Sequence, residues 1–116
     1  MILITHDLGV VAGRTDEVAV MYAGRIVERA PTRALFKAMR HPYAEALLAA
    51  IPKLDSAPHT PLPAIGGRPP DPTRPLPGCS FAPRCKYADS VCESTKPTLD
   101  DPEGAGALFA CWHPLT

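Results

Sequence analysis

The chain has 116 residues, with 12 Lys and Arg balanced by 12 Asp and Glu for a formal net charge of zero. That length bounds it to one modest domain with a limited core. The lack of a basic excess or a polybasic cluster argues against nucleic acid or an anionic membrane surface as a partner. The longest apolar stretches, such as Ala46 to Ile51, fall well short of the roughly 18–20 residues a membrane span needs. The N-terminus has neither the basic lead nor the cleavage pattern of a secretory signal. A cytoplasmic location is therefore expected.

Met1 to Ile4 is a short apolar run ending at Thr5-His6-Asp7, the pattern of a buried strand running into a loop. Asp7 is placed to cap a short helix through Leu8, Val10 and Val11 that stops near Gly13. Val18 to Tyr22, then Ala23-Gly24, then Arg25 to Glu28 predicts two strands around a tight turn, with Gly24 supplying the unusual backbone angle. Thr32 is placed to cap a short helix whose apolar face is Leu35, Phe36 and Met39. A second helix is expected to begin at Pro42, because proline's missing donor costs nothing at the first helical position. Tyr43, Ala44, Leu47, Leu48 and Ile51 follow at helical spacing, and Pro52 ends the run. His41, just before that start, reads as a capping or packing residue rather than a proton carrier.

Fifteen prolines depart from the average, and eight of them lie between Pro58 and Pro77. Proline lacks the donor and restricts its predecessor, so this segment is expected to be an extended connector. The 39 residues from Gly78 to Thr116 offer little bulk beyond Phe81, Tyr87, Val91, Leu99, Leu108, Phe109 and Trp112. So small an apolar set is marginal alone and predicts a cross-link or a bound metal.

All four cysteines sit in that tail: Cys79, Cys85, Cys92 and Cys111, spaced C-x5-C-x6-C-x18-C. Grouped sulfur means a disulfide framework, a metal site or a cluster. In a reducing cytoplasm the latter two are favoured. Four thiolates suit either a [4Fe–4S] cube or zinc, although the C-x₂₋₄-C knuckle common at zinc sites is missing. His113 is either a substitute ligand or a solvent-facing residue, and Arg84 either orients a thiolate or is exposed. Phe81 and Trp112 are expected to shield the centre from water.

Ile2-Leu3-Ile4-Thr5-His6-Asp7-Leu8-Gly9-Val10-Val11-Ala12 resembles the switch region of ATP-binding-cassette (ABC) ATPases. Asp16 to Glu28 is similar to the hairpin that follows it. Alone, a histidine after a strand is an ordinary polar loop residue. The resemblance implies that His6 meets the terminal phosphate of ATP, where pre-aimed donors and a positioned water are needed. No G-x-x-x-x-G-K-[ST] phosphate loop, no apolar run ending in Asp-Glu and no family signature occurs in the 116 residues. ATP and magnesium are therefore expected only in a complete protein, of which this chain would be a C-terminal part.

His41-Pro42-Tyr43, the following Ala46 to Pro52, the proline connector, Gly78 to Cys85, Cys92, Lys96-Pro97 and Cys111 are similar to the C-terminal extension of oligopeptide and dipeptide transporter ATPases. That resemblance implies an α/β fold: the C-terminal end of an ABC nucleotide-binding domain (strand, hairpin, two helices) followed by an irregular, cysteine-stapled extension. The expected divisions are 1–30 for the ATPase remnant, 31–52 for the helical segment, 53–77 for the connector and 78–116 for the extension. It implies a [4Fe–4S] cluster held by Cys79, Cys85, Cys92 and Cys111, with zinc as the alternative. It also implies a peripheral subunit on the cytoplasmic face of the membrane. Its partners would be a second ABC ATPase, two membrane permeases and an extracellular solute-binding protein. Peptides are the expected cargo, with nickel and other small solutes carried by related machines. Two alternatives stay open: a free-standing iron–sulfur or zinc module for interaction or redox sensing, and a nonfunctional truncated remnant.

Overall fold

The computed structural model describes residues 2–5, 8–49, 71, 73–104 and 106–115. At its centre is a hairpin of β1 (Glu17–Tyr22) and β2 (Arg25–Pro31), paired antiparallel from Glu17↔Pro31 to Tyr22↔Arg25. Strict alternation in β1 turns Val18, Val20 and Tyr22 inward and leaves Glu17, Ala19 and Met21 outside. The two-residue turn needs positive φ at both central positions, and Ala23 (52°) and Gly24 (77°) supply it. Glycine takes that conformation freely, whereas Ala23 pays a steric penalty between Cβ and the carbonyl that follows. Ala23→Asn, which creates the favoured Asn-Gly turn, is expected to stabilise the fold by about 0.5–1 kcal/mol in denaturant melts.

The register slips once, between Val20↔Glu28 and Met21↔Ile26, so Val27 is the extra residue of a β-bulge. The consequence is that two successive residues, Val27 and Glu28, are both buried. A third strand, β3 (Leu108–Phe109), comes from the far end of the chain and pairs antiparallel with β2, giving the sheet order β1-β2-β3. Ala110 N–H then donates to the Val27 carbonyl at 2.9 Å, which extends the tie past the bulge.

Short helices close over this sheet. α1 (Leu8–Val11) buries Leu8 and Val11. α2 (Thr32–Lys37) buries Leu35 completely. Thr32 does not cap this helix: Pro31 occupies the N-cap position, and the Thr32 hydroxyl lies 3.0 Å from the Thr15 hydroxyl. α3 (Pro42–Ala49) begins at the expected proline and buries Ala44. His41 caps it, because its Nδ1 accepts from Tyr43 N–H at 3.0 Å while its carbonyl accepts from Glu45 N–H.

The strand expected at the start of the chain is not formed in residues 2–5, which have no regular structure. Ile2 is 90% and Ile4 92% exposed. An apolar run becomes a buried strand only beside strands that pair its backbone, and the β1-β2-β3 sheet does not include residues 2–5. His6, Asp7 and residues 50–70, which include Ile51, Pro52 and most of the proline connector, lie outside the described residues.

The tail shares the hairpin's core. Phe81, 3% exposed, stands edge-on to Tyr22 with ring centroids 5.2 Å apart and lies 5.4 Å from Tyr43. Offset and edge-on aromatic pairs of this kind add about 0.5–1.5 kcal/mol beyond their burial. Leu115 N–H donates to the Arg40 carbonyl at 2.8 Å, and the Arg40 guanidinium sits over the Phe109 ring while pairing with Glu103. No helix among the described residues is long and apolar enough to cross a membrane.

Candidate metal centre

Each cysteine is delivered by a different local device. Cys79 and Cys85 flank a 3₁₀ turn, Ala82–Arg84, whose Pro83 suits a tight helical start. Cys92 rides on α4 (Ser90–Ser94), which Asp89 caps: its Oδ1 accepts from Cys92 N–H at 3.3 Å. Cys111 follows β3, so its position is fixed by the sheet. The two halves are stitched together where Cys79 N–H donates to the Cys92 carbonyl at 2.7 Å. That approach is possible because Gly78 has no Cβ. A Cβ there would lie 2.5 and 2.6 Å from the backbone C and O of Glu93.

All four cysteines are free and line one pocket, whose lining also includes His41 and Phe81. Burial raises the thiols of Cys85 and Cys92 and pushes that of Cys111 up to about 11. Neighbouring thiols add to these shifts: Cys79 acts on Cys85 and Cys92, and all three others act on Cys111. Backbone donors work the other way, with Tyr87 N–H at 3.4 Å from Cys85 Sγ and His113 N–H favouring the Cys111 thiolate. Four cysteines around one apolar, partly buried pocket have the soft donor chemistry a soft metal would need, while the group of ligand atoms within 4.8 Å of one another among the described residues is that of Asp89, Cys92 and His113. A thiol must give up its proton to bind a metal, so any metal these cysteines take up is expected to load more fully as pH rises.

The surrounding side chains separate the sequence expectations. Phe81 and Trp112 both line the pocket, Phe81 buried and Trp112 half exposed with its Nε1–H donating to the Thr95 carbonyl at 2.8 Å. Arg84 reaches the Tyr22 hydroxyl at 3.4 Å. His113 is paired with Asp89 at 2.7 Å, and the ligand atoms of Asp89, Cys92 and His113 lie within 4.8 Å of one another. His6 cannot be placed relative to the pocket, since it lies outside the described residues.

Two functional positions have signals that the motif pattern overlooks. Asp89 stands before Ser90-Val91-Cys92-Glu93, an N-cap signature that orients a cysteine helix. Glu28 is in phase with inward-facing Ala30 on β2, so its carboxylate goes into the core at 1% exposure. There Oε1 accepts from His41 N–H at 2.9 Å, and both oxygens accept from Arg40 N–H. This clamp holds the residue that closes one side of the cysteine pocket.

A family profile described as "Oligopeptide/dipeptide transporter, C-terminal region" matches residues 27–92, which include Cys79, Cys85 and Cys92. A "Probable peptide ABC transporter ATP-binding protein" of Sinorhizobium fredii is 46% identical over 113 residues, 97% of this chain and 33% of that protein. The oligopeptide transport ATP-binding protein of Salmonella typhimurium is 45% identical over 115 residues, 99% of this chain and 33% of that protein. Its counterpart in Mycobacterium tuberculosis is 46% identical over 101 residues, 87% of this chain and 16% of that protein. The chain thus spans a third or less of the length of these relatives.

Proposed function

Because this chain belongs to the family of oligopeptide/dipeptide transporter C-terminal regions, we propose that it serves as the C-terminal part of the ATP-binding subunit of a peptide importer. In this proposal its tail closes around a [4Fe–4S] cluster held by Cys79, Cys85, Cys92 and Cys111. The observation that carries the cluster is the pocket itself: four free cysteines, up to 32 residues apart in sequence from Cys79 to Cys111, line it together. The bound group would supply four metal–sulfur bonds that cross-link the tail. The chain's own residues set its surroundings, with Phe81 and Trp112 limiting water and backbone N–H groups turned to Cys85 and Cys111.

The proposed role is structural first. Cys111 is continuous with the sheet, Cys92 with α4 and Cys79 with the turn that buries Phe81. One shared centre would therefore fasten the extension to the hairpin and α3. His6 would act as the switch histidine only where a phosphate loop and magnesium-binding carboxylates are joined to it, so ATP turnover is not expected from these 116 residues alone. The second ATPase, the permeases and the extracellular binding protein would be partners of that complete subunit on the cytoplasmic face of the membrane.

Anaerobic purification tests the cluster. About four irons and four sulfides per chain, with brown colour, are expected. Cys92→Ser is expected to lower the iron content at least about tenfold under the same loading. Zinc is the second assignment, favoured by the approach of Asp89 and His113 to Cys92. Stoichiometric zinc without sulfide, in protein never exposed to oxygen, would replace the cluster with that ion.

A further inference from the structure

One wall of the cysteine pocket carries a donor with nothing to give to. His41 is 1% exposed and its Nε2 is fully enclosed, with no hydrogen-bond partner among the described residues. The other ring nitrogen is committed, since Nδ1 accepts from Tyr43 N–H. An imidazole that accepts at Nδ1 carries its proton at Nε2. Burial holds the ring neutral by pushing its pKa down to about 4. Buried N–H groups without an acceptor are rare because each forfeits its hydration for nothing in return.

The same ring lines the pocket with all four cysteines and packs 5.9 Å from Phe81. His113, the other imidazole on that wall, is already paired with Asp89. No sulfur stands within hydrogen-bond reach of Nε2 as the pocket is now shaped, but the four cysteines lining it, and whatever they hold, are the soft acceptors nearest to hand in that lining. Resting on the four-cysteine reading above, we propose that His41 donates an Nε2–H···S hydrogen bond to the bound centre, at a thiolate or a bridging sulfide. It is a positioning residue and not a fifth ligand. Ligation through Nε2 would move the proton to Nδ1, where it would face Tyr43 N–H, donor against donor. Glu28 fixes the backbone from which the ring projects, so the donor is preorganised before any metal arrives.

A donor to sulfur withdraws electron density and favours the reduced centre, so the midpoint potential gauges the bond whether or not the centre turns over electrons. The chain is to be reconstituted with ferrous iron and sulfide and titrated with dithionite. His41→Phe is expected to keep about four irons. At the potential where the parent is half reduced, its ratio of reduced to oxidised centre should fall about tenfold, about 59 mV for one electron. His41→Gln, which restores an N–H, should recover most of that shift. Full iron content with an unmoved ratio in His41→Phe would overturn the proposal.

The parent chain loaded with cadmium-113 gives a readout that needs no variant. The His41 Hε2 resonance should exchange slowly with water and show scalar coupling to the metal. A rapidly exchanging, uncoupled proton would overturn the proposal even if His41→Phe fails to fold. Failure of the parent chain to take up either iron or cadmium would instead sink the four-cysteine reading beneath it.

Discussion

Glu28→Ala is expected to lower the unfolding free energy by about 3 kcal/mol, seen as a shift of the denaturant midpoint at constant slope. The carboxylate accepts from the N–H groups of Arg40 and His41, and truncation removes that acceptor from both donors. Each such loss costs about 1–3 kcal/mol, and the vacated space adds to it. Glu28→Gln keeps one acceptor and should cost less, but it should change the pH profile. Burial raises the Glu28 pKa above its usual 4.5, against the opposing pull of the His41 and Arg40 donors. A carboxyl raised in the fold contributes stability that is complete below its unfolded pKa and is lost as pH climbs through the folded value. With metal content held fixed, the parent should therefore lose stability with rising pH across that window, and Glu28→Gln should lose less. Equal slopes for the two proteins would mean that the carboxyl is not desolvated as the fold requires.

The local half of this fold was legible because its signals are local. Val18 to Tyr22 and Arg25 to Glu28 read as two strands and Ala23-Gly24 as the turn between them, as the structure has it. Pro42 marked the start of α3 because its ring suits the first helical turn. What was misread depends on distant neighbours. Ile2 to Ile4 has a strand's composition, but a strand is a pairing and the β1-β2-β3 sheet does not include it. Thr32 has a capping residue's chemistry, yet Pro31 is already extended at the N-cap and the hydroxyl found Thr15 instead. β3 is two residues long, too short for any periodicity, and exists because β2 holds an open edge for it.

The same division runs through the site. Cysteine spacing named the four candidate ligands, since few residue types do what grouped thiols do. That all four line one pocket could not be read from spacing, because Cys111 is brought in by a sheet pairing that skips most of the chain. His41 was legible as a helix cap, and the structure agrees. That its second nitrogen is enclosed without a partner, in the lining of the pocket the cysteines share, shows only in the fold. Glu28 shares the inward phase of Ala30, but the bulge at Val27 breaks the period of two just before it, so only the end of β2 carried the signal for a buried charge.

Gly78→Ala should abolish metal loading without removing a ligand, an outcome that distinguishes a shaped site from a mere collection of thiols. The added Cβ would meet backbone, the Cys92 carbonyl oxygen and the C and O of Glu93, so no side-chain rotation relieves the overlap. Relief requires that the Cys79 N–H to Cys92 carbonyl bond open or that the end of α4 swing away, and either motion parts Cys79 from Cys92. Metal–sulfur geometry tolerates only about 0.2 Å, so a backbone shift of about 1 Å removes one ligand from reach. Metal content should fall at least about tenfold while thiol titration still counts four cysteines, and stability should drop by about 1–3 kcal/mol. Gly13→Ala is the matched control: open space surrounds that position, and its effect should stay within about 0.5 kcal/mol. Parent-like metal content in Gly78→Ala would show that Cys79 and Cys92 need not approach as closely as this backbone contact requires. In that case a centre held by all four sulfurs would lose its structural basis.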